Sequence, residues 1–279
     1  NQDTSITVPS DAANYMDLSS LTTFADSLMK TADLKQYRIT GTINANMSII
    51  GIPINANIPM DFRLKLNADN TVQSAYINLD VPYFIGVLQQ DMTAKVYYED
   101  GVLYFDRNWE TSTGALWWKE YYDHHEYMKC TIDEFMANPM KYVYFCTNFT
   151  SMVENAINDA IAKSDQKAVR TGNIMFEEAL TGFYYNGSNQ WNVNLDAAHL
   201  INNSDFSDQM SITVGKGSNG ILNSISLSTR VLDMINLQLN NGQLVNADKS
   251  NVDMSVIPTG LSSNPNYVFG EVKVVETKK

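Results

Sequence analysis

Hydrophobic and polar residues alternate without a break from residue 52 to 67. Ile, Ala, Met, Phe and Leu occupy the even positions, while Pro, Asn, Asp, Arg and Lys occupy the odd ones. A period of two puts each set on its own face of a β-strand, and one dry face opposite one wet face is typical of antiparallel sheets. Pro53 and Pro59 lack the N–H that a ladder needs, so they predict an edge position or a bulge.

The same alternation predicts further strands on both sides of this segment. Asp69-Asn70 predicts a turn, and Asp100-Gly101 predicts a tight hairpin. Asn186-Gly187 and Asn241-Gly242 predict turns in the second half of the chain. The other predicted strands are residues 42–49, 77–81, 93–99, 102–106, 191–195, 212–215, 221–227, 235–239, 243–246 and 267–275.

Two segments have a helical period instead. Residues 18–33 carry apolar side chains three and four positions apart, namely Leu18, Leu21, Ala25, Leu28, Met29 and Ala32. Residues 117–164 are also predicted to be helical. Capping-box pairs support this prediction, formed by Thr131 with Glu134 and by Ser151 with Glu154.

The order of the predicted elements is helix, long strands, helices and more strands. Because no low-complexity linker divides it, residues 17–279 are predicted to form a single domain. Residues 1–16 are polar and begin without Met. They predict a flexible tether left behind a removed targeting segment.

Charge and composition exclude several classes of protein. The chain has 279 residues, with 19 Lys and Arg against 31 Asp and Glu, which gives a net charge of −12. This excess argues against a nucleic-acid partner, because phosphates require a basic surface. It also argues against electrostatic binding to anionic membranes. The hydrophobic content of 44% is too high for a disordered chain, so we expect a folded globular protein.

The sequence motifs do not indicate catalysis. Residues 215–220 match GxGxxG, but strand-like residues follow where a dinucleotide fold needs a helix, so a hairpin loop is predicted. Asp123-His124-His125-Glu126 lacks metal-ligand spacing and is predicted to be a solvated polar segment. Cys130 and Cys146 form either one disulfide or two buried free thiols. We therefore expect no catalytic residues, no metal and no cofactor.

Aromatic residues are concentrated in one part of the chain. Residues 97–149 hold 15 of the 30 aromatic side chains. Aromatics suit both cores and binding surfaces, since they combine a large apolar area with a polar group in Tyr and Trp. Two alternatives follow: the segment fills the concave face of a sheet, or it forms the mouth of an apolar pocket.

The element order and strand texture resemble a known superfamily of bacterial extracytoplasmic lipoproteins. The likeness covers most of residues 18–257 and includes the hairpin VYYEDGVLY at 96–104 and the Trp118-Lys119 pair. The superfamily includes the lipoprotein carrier LolA and the mycobacterial lipoprotein LppX. It implies an α+β fold, with a strongly curved antiparallel sheet forming an open half-barrel. An N-terminal helix and central helices would cover the concave face of that sheet.

The resemblance also implies a function. We expect a non-enzymatic, extracytoplasmic protein of the cell envelope or surface, attached through a removed N-terminal lipid anchor and monomeric. It would bind a lipid or another hydrophobic small molecule between sheet and helices. The expected ligand-binding residues are Met47, Ile58, Met60, Phe62, Trp117, Trp118, Tyr121, Tyr122 and Phe135. The alternative is a cell-surface carbohydrate- or protein-interaction module that uses the aromatic segment 97–149.

Overall fold

The structure is a computed structural model of the whole chain. Its described residues are 18–49, 51–85, 88–115, 117–138, 141–142, 145–146, 155–156, 158–159, 180–185, 187, 189–195, 206–231, 235–245 and 251–279. The predicted tether, the Ser151–Glu154 capping box and most of the predicted helix around it lie outside these residues. No helix among the described residues is both long and apolar enough to cross a bilayer.

Twelve strands, two α-helices and one short 3-10 helix at Leu261–Ser263 make up the described elements. The α-helices are α1 (Leu18–Ala32) and α2 (Ile132–Ala137). The strands are β1 (Gln36–Ile49), β2 (Ile52–Leu66), β3 (Val72–Ile85), β4 (Leu88–Glu99), β5 (Val102–Thr113), β6 (Glu120–Thr131), β7 (Leu180–Tyr185), β8 (Gln190–Leu195), β9 (Phe206–Lys216), β10 (Leu222–Val231), β11 (Ile235–Val245) and β12 (Lys273–Lys278).

All twelve strands belong to one antiparallel sheet. Its strand order is β12-β6-β5-β4-β3-β2-β1-β11-β10-β9-β8-β7, so the sheet is open and ends at β12 and β7. This confirms the predicted open antiparallel sheet and the helix before it. Beyond α1 and α2, the described residues 141–142, 145–146, 155–156 and 158–159 have helical backbone, but they do not show central helices covering the sheet, so that part of the fold stays a prediction.

By its contacts the chain divides into two compact units. The first unit comprises residues 1–34, 40–56 and 155–250, and the second comprises residues 35–39, 57–154 and 251–279. The prediction of a single domain stays a prediction.

The first unit is built around Trp191, whose side chain is 0% exposed. The ring centroid of Phe24, on α1, lies 5.4 Å from that of Trp191 and 5.0 Å from that of Phe183. Tyr185 packs on Trp191 at 5.6 Å. Helix α1 is therefore anchored on β7 and β8 by a single aromatic side chain at the centre of an aromatic cluster.

The apolar stripe of α1 does not face this cluster. Ser27 is almost fully buried instead, and the Thr31 hydroxyl oxygen accepts a 3.0 Å hydrogen bond from the N–H of Leu222. We call the exposed apolar residues of α1 its outer stripe, which consists of Leu21, Ala25, Leu28, Met29 and Ala32. Met29 is 69% exposed. The helix over 18–33 is thus confirmed, and the side that carries Phe24, Ser27 and Thr31 faces the sheet.

The second unit has a core of tyrosines. Tyr76, Tyr97, Tyr104 and Tyr267 are buried together around Leu261. The rings of Tyr104 and Tyr267 meet edge to face at 5.2 Å. Burial raises the pKa of Tyr97 and Tyr267 well above the usual range, so these phenols are neutral at physiological pH.

A second feature of this unit is a carboxylate held between two arginines. Asp61 accepts bidentate hydrogen bonds from Arg38 at 3.1 and 2.9 Å and from Arg63 at 3.2 and 2.9 Å. Arg63 is buried and donates a third hydrogen bond, 2.7 Å long, to the carbonyl of Asp253. Burial alone would raise the pKa of Asp61, but the hydrogen bonds from Arg63 and Arg38 outweigh it and lower that pKa.

The largest correction concerns residues 117–164. The segment was predicted to be helical, but Glu120–Thr131 forms strand β6, paired with β5 and β12. The chain becomes helical only at α2. There the predicted capping box is confirmed, with the Glu134 N–H donating to the Thr131 hydroxyl and the Thr131 N–H donating to Glu134.

The predicted turn at Asn241-Gly242 is wrong, and so is the edge position, one of two alternatives that the prolines indicated for β2. β11 runs straight through Asn241-Gly242, and the register with β10 shifts there, so the pair forms a bulge rather than a turn. Strand β2 lies between β3 and β1, so it is not an edge strand. Its register with β3 runs from Met60 to Leu66, and Pro53 and Pro59 precede it. The prolines therefore lie outside the ladder that β2 forms with β3.

Most other turn predictions are confirmed. Asp100-Gly101 closes the β4–β5 hairpin with positive φ at both residues. Residues 217–221 connect antiparallel strands β9 and β10, as the hairpin interpretation of the GxGxxG match requires. The last strand, predicted at 267–275, lies slightly later, at β12.

Candidate functional site

The two most exposed aromatic side chains of the described residues lie at one end of the β5–β6 hairpin. Trp117 is 85% exposed and Trp118 is 67% exposed. Tyr121, at the start of β6, is 42% exposed. We call these three residues the aromatic tip. The structure thus brings three of the nine predicted ligand-binding residues to one hairpin end and leaves their rings open to solvent.

A tight backbone turn holds the tip in this form. Gly114 has φ +105°, and a Cβ at this position would lie 2.2 Å from the carbonyl oxygen of Trp118. The Trp118 N–H donates a 2.9 Å hydrogen bond to the Ala115 carbonyl. Only glycine tolerates both this φ and this close approach. A side chain at position 114 would therefore displace the backbone that carries Trp118.

Charged side chains surround the tip. Lys278 donates to Glu120 at 2.6 Å, and the Tyr122 hydroxyl donates to Glu120 at 2.8 Å. The hydrogen bond from Lys278, followed by that from Tyr122, lowers the pKa of Glu120. Lys279 pairs with Glu110 and, at 3.0 Å, with Asp123. These are exposed pairs and contribute little stability, but they give the apolar tip a polar rim.

The terminal strand β12 adds a second apolar region. Val274 is 61% exposed, and Phe269 and Val272, just before the strand, are also exposed. We call these three residues the apolar edge. Sequence reasoning missed them, because no pattern in residues 269–275 distinguishes an exposed valine from a buried one.

The other predicted site residues lie in or beside the cores of their units. Met47, in the first unit, is buried, as is Ile58 in the second. Met60, Phe62, Tyr122 and Phe135 are partly buried. Phe135 packs on Tyr142 with ring centroids 5.7 Å apart. Contact of these residues with a ligand stays a prediction.

The Asp123–Glu126 segment lies on β6. His124 stacks on Trp109 at 5.3 Å, with Nε2 2.5 Å from the Thr111 hydroxyl and Nδ1 3.4 Å from Glu276. His125 Nδ1 lies 3.2 Å from Asp106. Within the described residues no group of three or more His, Cys, Asp and Glu side chains could hold a metal ion. The two histidines thus serve cross-strand contacts.

Both cysteines are buried free thiols, one of the two alternatives that the sequence left open. Burial raises the pKa of Cys146 to about 12. Burial also raises the pKa of Cys130. Neither thiol is activated, because a nucleophilic cysteine requires a lowered pKa.

Comparison with protein families and curated proteins finds no relative of this chain. No protein-family model matches the chain, and no curated protein matches it either. The resemblance to the LolA and LppX superfamily therefore stays a prediction.

Proposed function

We propose that this protein is a non-enzymatic interaction module that binds another protein through the aromatic tip. The observation that carries the proposal is the exposure of Trp117 and Trp118, at 85% and 67%. Tryptophan is enriched where proteins bind each other, because a rigid ring supplies a large contact area at a low entropic cost. Two adjacent, largely exposed indoles keep apolar surface in contact with water, which is unfavourable unless a partner covers it.

The size of the tip supports a binding role. A large aromatic side chain offers roughly 150–250 Å² of surface, so the exposed fractions of the three rings amount to roughly 400 Å². The largest apolar patch on a typical monomer is about 300–600 Å² and is often functional. The charged pairs around Glu120 and Lys279 supply the polar rim that such a patch has in an interface.

A protein partner fits this surface better than a carbohydrate. Strand β12 ends the sheet beside the hairpin that carries the tip, and its edge can accept main-chain hydrogen bonds. A partner with a peptide backbone can pair with the whole edge as an added strand, whereas sugar hydroxyls cannot form such a regular ladder.

Photocrosslinking at the tip tests the proposal. With Trp118→benzoylphenylalanine in the purified protein, we expect a discrete protein adduct from an extract of the source cells. Excess wild-type protein should suppress the adduct, and the Trp117→Ser variant should suppress it far less. The matched control carries the photoreactive residue at Val72, which is exposed elsewhere in the same unit, and should give no such adduct.

The outcomes separate the alternatives. Absence of a suppressible adduct at position 118 would refute a protein-binding role. A signal on an array of glycans that is lost in the Trp117→Ser variant, without any protein adduct, would replace the proposal by the carbohydrate alternative. Equal suppression of the adduct by wild-type and Trp117→Ser protein would show that the aromatic tip does not contribute to binding.

A hydrophobic ligand is a second candidate, and the outer stripe of α1 favours it. An amphipathic helix normally buries its apolar side, whereas α1 leaves Leu21, Leu28 and Met29 exposed and buries Ser27. An acyl chain lying along this stripe would remove it from water. The finer fold description, a curved half-barrel in an extracytoplasmic protein with helices over its concave face, belongs to this candidate. The open antiparallel order and α1 support it.

Mass spectrometry of an organic extract tests this second candidate. We expect a lipid to co-purify with the wild-type protein and to be lost from a Leu28→Ser, Met29→Ser double variant, because two hydroxyls make the stripe polar. A matched Asp26→Ser variant changes the polar side of α1 and should retain the lipid. An extract without lipid, together with no binding of a fluorescent fatty acid, would exclude the candidate.

A further inference from the structure

Among the strands that the structure describes, β12 is the last of the sheet and has a row of outward-pointing backbone groups. The Lys279 N–H donates to the Tyr121 carbonyl at 2.9 Å, which fixes the direction of the main-chain groups along the strand. Because these directions alternate in an antiparallel strand, residues 273, 275 and 277 face β6. The N–H and C=O groups of Val274, Glu276 and Lys278 face away from it.

The usual protection of such an edge is weak here. Exposed edges are often guarded by lysines that project past the strand. In β12 the lysines are turned back onto the protein instead. Lys273 donates to the Pro265 carbonyl at 3.4 Å, Lys278 pairs with Glu120, and Lys279 pairs with Glu110 and Asp123. Val274, at the middle of the edge, is 61% exposed.

Apolar surface lies at both ends of this edge. Tyr121 is level with Lys279, so the aromatic tip lies at the C-terminal end of β12. Phe269 and Val272 lie at the N-terminal end and are exposed. A two-fold axis normal to the sheet exchanges the two ends of the strand. It would set the aromatic tip of one copy beside Phe269 and Val272 of the other.

We propose that the protein forms a symmetric dimer in which β12 pairs with β12 of a second copy. The dimer rests on the proposed function, since it names a second copy of this chain as the partner of the aromatic tip. The two strands run antiparallel, with Val275 of one copy opposite Val275 of the other. The sequence had led us to expect a monomer.

Charge selects this register. It sets Val274 opposite Glu276 and Glu271 opposite Lys279, whose ammonium also pairs with Glu110 and Asp123 of its own copy, and no like charges face each other. Moving the centre to Glu276 would oppose two glutamates directly and also oppose Lys273 to Lys279. Moving it to Val274 brings no opposite charges together. Because a two-fold axis normal to the sheet keeps the faces of both strands aligned, the centre must fall on a residue rather than between two.

The same register covers the apolar ends. Neighbouring strands lie about 4.8 Å apart, so β6 of one copy runs roughly 10 Å from β12 of the second. Phe269 lies beside Lys129, which is level with Glu271, so in this register Tyr121 of one copy is level with Phe269 and Glu271 of the second. An indole spans much of that distance and packs over Phe269 and Val272 of the second copy. The dimer thus buries the tip and the apolar edge together.

Sedimentation velocity of matched variants at position 274 tests the dimer. We expect the wild-type protein to sediment as a dimer at high micromolar concentration. The Val274→Glu variant puts a carboxylate opposite Glu276 in each of the two symmetry-related pairs and should raise the dimer dissociation constant about tenfold. The Val274→Lys variant offers Glu276 an opposite charge and should bind at least as tightly as wild type. Val274 is exposed, so both variants fold.

The sign of the two effects decides the register. Equal weakening by Glu and Lys would place Val274 opposite itself and overturn the proposed register. A wild-type protein that stays monomeric at every concentration would overturn the dimer. If a Trp118 crosslink to a different protein persisted in that case, the proposed function would stand without the dimer.

A disulfide trap provides a second measurement. The N–H and C=O groups of Val275 point toward β6, so the two Val275 residues of the dimer form a non-hydrogen-bonded pair. The Cα atoms of such a pair lie about 4.5 Å apart, which is within disulfide range. The Val275→Cys variant should therefore oxidise to a covalent dimer. The native thiols are buried and stay out of the reaction. Thr277→Cys is the control and should stay monomeric, because Lys273 lies opposite it. A dimer from both variants, or from neither, would overturn the pairing.

Discussion

Replacement of Trp191 by alanine is expected to lower the free energy of unfolding by about 4 kcal/mol. Trp191 is 0% exposed and contacts Phe24 and Tyr185, so its removal leaves a cavity at the point where α1 is anchored. Urea denaturation, followed by circular dichroism, measures the loss.

Two other substitutions provide reference values for this loss in the free energy of unfolding. Trp117→Ala removes the same side chain from an exposed position and should change stability by less than about 0.5 kcal/mol. Trp191→Phe should cost much less than Trp191→Ala, since a ring still fills most of the space. The Trp191 Nε1 has no hydrogen-bond acceptor among the described residues, so the phenylalanine loses no bond. Equal losses at positions 117 and 191 would contradict this account of the core.

Replacement of Asp61 by asparagine is expected to cost about 3 kcal/mol, because it leaves Arg38 and Arg63 facing each other without a negative charge. Arg63 is buried, so its charge cannot be solvated by a small movement. Asp26→Asn is the matched control. The Asp26–Lys30 pair is exposed, so its loss should be close to zero.

The pH dependence gives this prediction a second readout. The pKa of Asp61 is lower in the folded protein than in the unfolded chain, so its contribution is complete above about pH 4, the ordinary range of an aspartate. The contribution disappears as the pH falls through the folded-state value. The difference in stability between wild type and Asp61→Asn should therefore shrink in acid. A difference that grows below pH 4 would contradict the ion-pair explanation.

The sequence predicts strands correctly where one face is dry and the other wet. β2 and β3 follow from simple alternation, and the Asp100-Gly101 hairpin follows from its turn residues. β6 was misread as helical because both of its faces are partly covered. Met128 and Cys130 are buried on one side, while Tyr127 packs on Tyr267 on the other. A strand covered on both faces loses the period of two that identifies it.

The candidate site was predictable only in part. The concentration of aromatics in residues 97–149 pointed to Trp117, Trp118 and Tyr121. Their exposure depends on the turn at Gly114, which composition does not reveal. The apolar edge depends on β12 being the last strand of the sheet, and strand order is set by long-range pairing rather than by local sequence.

The two buried thiols make local opening of the protein measurable by chemical modification. Cys130 and Cys146 are unlinked and shielded, so a thiol reagent can reach them only when the surrounding structure opens. The rate of thiol modification then measures how often the structure around β6 opens transiently. Cys130 lies on β6, whereas Cys146 lies outside this strand. The two thiols can therefore report on separate opening events within one unit. The native chain thus carries its own probes of local unfolding, without any label.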